Sequence, residues 1–255
     1  MIHIFGDSYA AEHDGIDWQW YKQLSQRMQQ PLQITSHFGV SNEWVCMQFM
    51  NYLKGGEIKK GDTVVVVTTN PDRHWFIWNA PQISNWNWIS DDRKQLQERY
   101  DISDEQLQAI DLYYKHIKKD QLDFWKYDAT QAWWNFYANM LNDQGISLVC
   151  IPGFAGHTDV HSGGPIPVTG SLMDAVCYPE FKSEAHMKKW YNRPYPDQRI
   201  NHMLRDNHTV LATALDNSLT NRTSLDLMEL PFKTGILSIS SEAILKNQLS
   251  PTLMR

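Results

Sequence analysis

Apolar and polar positions along this chain fall into two alternating rhythms. An apolar run, Ile2-His3-Ile4-Phe5, stops at Gly6-Asp7-Ser8 and predicts a first strand. Residues 15–30 predict a helix, with Trp20, Leu24, Arg27 and Met28 at helical spacing and Pro31 as its stop. Residues 32–38 predict a second strand, closed by Gly39. Ser41 is a suitable N-cap for a helix reaching Tyr52, with Trp44, Val45, Gln48, Phe49 and Tyr52 on one face and Gly55-Gly56 behind it. Residues 62–69 contain Val64-Val65-Val66-Val67, the pattern of a strand covered on both faces.

The next stretch, residues 70–90, is rich in Asn, Trp and Pro and predicts irregular structure. Residues 91–140 are mainly helical in composition. Ser103-Asp104-Glu105-Gln106 reads as a helix start, and Leu107, Ile110, Tyr114 and Ile117 continue its face. A second helix is expected over 121–141, then a buried strand over 146–151 stopped by Pro152-Gly153. Residues 154–170, rich in Gly, Pro and His, predict a long loop, and residues 201–215 a late helix. Strands alternating with helices predict an α/β fold around a mainly parallel sheet. The expected organisation is one domain over 1–215, with a helical and aromatic insertion at about 71–140 and an extension of weak periodicity over 216–255.

The 255 residues suffice for a substantial core, and 42% hydrophobic with 20% charged residues describes a globular chain. A net charge of −6 argues against a general nucleic-acid binder. No apolar span is long enough for a transmembrane helix, and no signal peptide is recognisable, so a cytoplasmic location is expected. Cys46, Cys150 and Cys177 lack metal-type spacing and read as reduced thiols. Eleven tryptophans are many for this length. Most are expected to fill the core. Those at 75–88 serve equally well as a platform for sugar rings or acyl groups at the rim of a cleft.

Gly6-Asp7-Ser8 stands at a strand end, where α/β sheets present side chains to a ligand crevice. Serine-based hydrolysis also needs a base within hydrogen-bond reach and donors for a tetrahedral oxyanion. Among ten histidines, His202 is the best placed. A polar stretch holding Asp197 precedes it, and a helix follows. His3 reads as a packing residue, and His208 as a helix residue without catalytic duty. His157, Asp159 and His161 have the spacing of a metal-ligand cluster, but nothing else in the sequence completes a site.

The order of these segments resembles the SGNH (GDSL-type) hydrolase family: Gly6-Asp7-Ser8 first, Gly39 after the second strand, Asn70 after the third, and Asp197 with His202 before the last helix. The resemblance implies a flavodoxin-like three-layer α/β/α sandwich. It implies Ser8 as nucleophile, His202 as base, and Gly39 and Asn70 joining the Ser8 backbone as oxyanion donors. It also implies ester hydrolysis without metal or organic cofactor. Two departures stand out. The family's acid lies three residues before its histidine, where this chain has Arg199. The nearest acid is Asp197, five before, so either Asp197 orients His202 through a bulged loop or a backbone carbonyl does so in a Ser–His dyad. The Gly-x that usually precedes the asparagine is absent before Asn70. The expected activity is a serine esterase acting on a small-molecule or carbohydrate ester, with an O-acetyl or other short acyl group on a sugar as first candidate. The alternative is a catalytically impaired module of the same fold that binds a glycan or a protein.

Overall fold

The computed structural model describes residues 1–78, 81, 93–117, 120–154, 161–177 and 200–233. Among these, the centre is a four-stranded sheet of β1 (Ile2–Gly6), β2 (Leu32–Ser36), β3 (Thr63–Thr68) and β4 (Ser147–Pro152). Its order is β2-β1-β3-β4 and every pairing is parallel. The expected α/β fold is thus present, and the arrangement is that of a flavodoxin-like α/β/α sandwich.

Side chains of successive strand residues point to opposite faces, and here both faces are covered. Ile2, Ile4, Val65, Val67, Val149 and Ile151 share one core with Trp20, Tyr21 and Leu24 of α1 (Trp20–Met28) and Leu211 and Leu215 of α7 (Arg205–Asn221). Phe5, Val64, Val66, Leu148 and Cys150 share the other with Val45 and Phe49 of α2 (Asn42–Lys54) and Trp134, Ala138 and Leu141 of α5 (Asp120–Asp143). All six β3 residues are buried, as its run of β-branched residues requires. Each fully buried Val, Leu or Phe contributes about 1.5–3 kcal/mol, so the double-faced sheet is the main source of stability. The insertion contributes α3 (Arg93–Tyr100) and α4 (Asp104–Leu112), with a smaller core of Ile77, Ile102, Leu107 and Ile110. Ser103 and Gln106 close both hydrogen bonds of a capping box at the start of α4. A short α6 (Leu172–Cys177) packs on the first core through Leu172, Ala175 and Val176. No helix among the described residues is long and apolar enough to cross a membrane.

Several boundaries differ from the sequence expectation. The first helix starts at Trp20 instead of residue 15, because Gly15 is in a left-handed turn with φ 71° and the chain reaches helical geometry only after Gln19. The second strand stops at Ser36, two residues short. The expected loop 154–170 contains β5 (His161–Ser162) and β6 (Val168–Thr169), which with β7 (Leu225–Asp226) make a small second sheet. The division placed at residues 215 and 216 falls inside α7, and Leu219, Leu225 and Leu227 join the first core. Residues 234–255 of the expected extension lie outside the described residues.

Two glycines sit where the sheet leaves no room for a side chain. A Cβ on Gly6 would lie 2.9 Å from Val67 Cβ and 3.0 Å from its carbonyl oxygen. A Cβ on Gly153 would lie 2.5 Å from Thr68 O and 3.4 Å from the Tyr9 ring. Gly153→Ala is therefore expected to force β3 and β4 apart at their carboxyl ends and to cost about 1–3 kcal/mol. A urea-unfolding midpoint equal to that of the wild type would contradict this.

Candidate active site

Parallel strands put all their carboxyl ends on one edge, so the segments leaving β1, β2, β3 and β4 meet there. Ser8 lies two residues past the end of β1. Its turn is closed by Ala10 N donating to Asp7 O at 2.9 Å and by Tyr9 N donating to Asp7 Oδ1 at 3.0 Å. The Asp7 side chain thus shapes the turn that carries Ser8. Trp20 Nε1 donates to Tyr9 O, and Tyr21 Oη donates to Ala11 O, both at 2.9 Å. The first turn of α1 therefore holds the segment in place.

His202 reaches this edge from the other end of the chain. Its Nε2 lies 2.8 Å from Ser8 Oγ. Its ring packs on Tyr9, with centroids 5.0 Å apart, and edge-on to Phe154, which follows β4, at 6.3 Å. The expected helix 201–215 is displaced to Arg205–Asn221, because Asn201 and His202 are both left-handed, with φ of 50° and 56°. Two such residues cannot continue a right-handed helix, and the break turns the imidazole toward Ser8.

Gly39 follows β2 with φ 72°, a conformation that favours glycine. Asn70 follows β3, and its Oδ1 accepts from Asp72 N at 3.1 Å. That Asx turn occupies the oxygen end and leaves Nδ2 as the end able to donate outward. The structure therefore brings Ser8 and His202 into hydrogen-bond distance and sets Gly39 and Asn70 on the same edge. Asp197 and Arg199 lie outside the described residues, as do His157, Asp159, Trp86 and Trp88. Among the described residues, no group of three or more His, Cys, Asp or Glu side chains is arranged to hold a metal ion.

Four polar residues beyond the site residues that the sequence suggests support this edge. Arg73 Nη1 donates to Asp7 Oδ2 at 3.1 Å and to Thr69 Oγ1 at 2.5 Å, and its guanidinium lies 4.7 Å over the Phe154 ring. Asp7 is fully buried. Burial pushes its carboxyl above the usual range, while Arg73 and the hydrogen bonds from Tyr9 N and Thr69 pull against that. Asn42 pairs with both backbone groups of Thr69: Nδ2 donates to Thr69 O at 3.0 Å, and Oδ1 accepts from Thr69 N at 2.9 Å. It thereby ties the start of α2 to the residue before Asn70. Asn201 donates through Nδ2 to Ser8 O and Ala11 O, both at 2.9 Å. Each is a polar residue at an element boundary, and spacing alone carries no sign of partners 27 to 193 positions away. Two signals were present in the sequence: Asp7 lies in the Gly6-Asp7-Ser8 motif, and Arg73 carries a charge three residues beyond Asn70.

The other candidates take structural places. His208 is buried, and its Nδ1 accepts from Trp20 N at 3.1 Å, capping α1. His3 Nε2 lies 3.2 Å from Asp62 Oδ2 on the far side of β1. Burial, with Glu43 nearby, pushes the Cys46 thiol up to about 12, which favours the protonated thiol. Trp20 and Trp134 are fully buried, as core-filling indoles should be. Trp78, by contrast, is 75% exposed and stacks on Trp75 at 4.7 Å in the segment that leaves β3.

His13 is buried, with its Nε2 unpartnered among the described residues and its ring edge-on to Phe38. Burial first, then Lys22, lower its pKa below 6.5, and Asp14 opposes them. A histidine depressed in the folded state contributes stability that is present above its unfolded value and lost as pH falls through its folded one. His13→Gln is therefore expected to shrink the fall in urea midpoint between pH 7.5 and pH 5 (both about) relative to the wild type. An unchanged difference would rule out this linkage.

Compared with models of known protein families, with curated proteins and with solved structures, the chain matches none.

Proposed function

We propose that this protein is a serine ester hydrolase working through an acyl-enzyme. The 2.8 Å approach of His202 Nε2 to Ser8 Oγ, at the carboxyl edge of the parallel sheet, carries the reading. Ser8 Oγ attacks the ester carbonyl carbon as His202 Nε2 takes its proton. The carbonyl oxygen becomes an oxyanion that receives hydrogen bonds from Ser8 N, Gly39 N and Asn70 Nδ2. Collapse breaks the bond to the alkoxy oxygen, which leaves as an alcohol with the proton from His202. Water then attacks the acyl-Ser8 carbonyl with His202 again as base, releasing the carboxylic acid and restoring Ser8. Asp197 is the proposed orienter of His202 Nδ1. In this role it holds the tautomer that leaves Nε2 free to accept.

Short acyl esters of carbohydrates are the proposed substrates. An indole pair with one face open suits the apolar face of a pyranose ring, and Trp75 and Trp78 provide one in the segment that follows β3. The test is turnover of p-nitrophenyl acetate and acetylated sugars, with labelling by a fluorophosphonate mapped by mass spectrometry. Turnover and a label on Ser8 are expected. Absence of both across a panel of acyl esters would replace the reading with that of a binding module on the same fold.

A further inference from the structure

We propose that Asn201 is a positioning residue for the reaction, acting as a clasp that sets the distance between base and nucleophile; this rests on the esterase reading above. Asn201 precedes His202 in the chain, yet both of its amide protons go to the segment that carries Ser8. Nδ2 donates to the carbonyl of Ser8 itself and to that of Ala11, each at 2.9 Å. Its Oδ1 accepts from Gln19 Nε2, also at 2.9 Å. Gln19 is fully buried, donates a second bond to Ala11 O at 3.2 Å, and accepts from His13 N through Oε1 at 3.4 Å. The clasp is therefore itself held by the N-cap residue of α1. Asn201 is 2% exposed, so water does not compete for these bonds.

The backbone serves the same end. Asn tolerates the left-handed region better than most residues, and here it does so with φ 50° and ψ 33°. The side chain of one residue grips the nucleophile turn while the backbone of the same residue aims the next side chain at Ser8 Oγ. A rigid link of this length makes the Ser8–His202 separation a property of one residue instead of a long loop. Whatever group meets His202 Nδ1 governs the tautomer, which is a separate matter. A displacement of about 1 Å between reacting groups can cost on the order of 10²-fold in rate.

The test compares wild type, Asn201→Gly, Asn201→Asp and Gln19→Met. Glycine keeps the left-handed backbone and removes the amide. Aspartate puts a carboxylate against two carbonyl oxygens. Gln19→Met removes only the support and serves if the Asn201 variants do not fold. Active sites are counted by end-point fluorophosphonate titration, and kcat for p-nitrophenyl acetate is expressed per titrated site. A merely structural role would lower the melting temperature and the titratable fraction and leave kcat per site unchanged. The clasp predicts that kcat per site falls about 10²-fold in Asn201→Gly, further in Asn201→Asp and about tenfold in Gln19→Met, with KM changed less than about threefold. Values of kcat per site within about threefold of wild type in every folded variant would overturn the proposal. A wild-type protein that neither turns over nor labels would overturn the esterase reading instead, and the clasp's catalytic role with it.

Discussion

Ser8→Ala and His202→Asn are each expected to lower kcat by about 10⁴-fold or more, and the double variant is expected to lose no more than the worse single one. Ser8 Oγ and His202 Nε2 share one hydrogen bond and, in the proposed mechanism, one proton. Removing either ends the same step, so the losses do not add. Asparagine is the better replacement for His202 because the position has φ 56°, which alanine would adopt only with strain. The residual rate then comes from the oxyanion donors and binding alone. Initial rates on p-nitrophenyl acetate decide the matter. A single variant within about tenfold of wild type, or losses that multiply, would mean that Ser8 and His202 do not act as a unit.

The largest effect on stability is expected at Arg73. Asp7 is fully buried, and the Arg73 guanidinium is its charged partner at 3.1 Å. Forming a buried pair gains little net energy, but removing one member strands the other, at about 3–5 kcal/mol. Arg73→Met should therefore be severely destabilised, while Asp7→Asn combined with Arg73→Met recovers part of the loss. The cost is also pH-dependent. Burial already raises the Asp7 carboxyl, and without Arg73 it rises further. A carboxyl raised in the folded state contributes stability that is present below its unfolded value and lost as pH rises through its folded one. The deficit of Arg73→Met should thus be smaller near pH 5 than near pH 8 (both about) in urea unfolding. A deficit that does not change with pH, or a double variant no better than Arg73→Met, would show that Asp7 is not the group left stranded.

Much of the architecture was legible because it rests on local patterns with one physical outcome. Val64 to Val67 read as a strand covered on both faces, and Ser41 and Ser103 as helix caps, and the structure has them so. Alternation of strands and helices predicts a parallel sheet with Ser8 at a strand end, while Gly39 and Asn70 entered through the resemblance to the SGNH pattern. Boundaries set by backbone handedness were less legible. Helix periodicity through Val210, Leu211 and Leu215 gives no warning that Asn201 and His202 turn left-handed, so it predicts the start of the last helix four residues too early.

By itself, then, the sequence determined the four strands of the main sheet, most of the helices, the sheet class and the residue types that could meet at the carboxyl edge. Hydrophobic periodicity and capping act within a few residues and do not depend on distant partners. Only the tertiary structure decided that His202 reaches Ser8, that Arg73 pairs with Asp7, that Asn42 brackets Thr69 and that Asn201 holds Ser8 O. Those contacts join segments up to 194 residues apart through buried and part-buried polar atoms. Such atoms must find partners once water is excluded, but their spacing in the chain says nothing about which partners those will be.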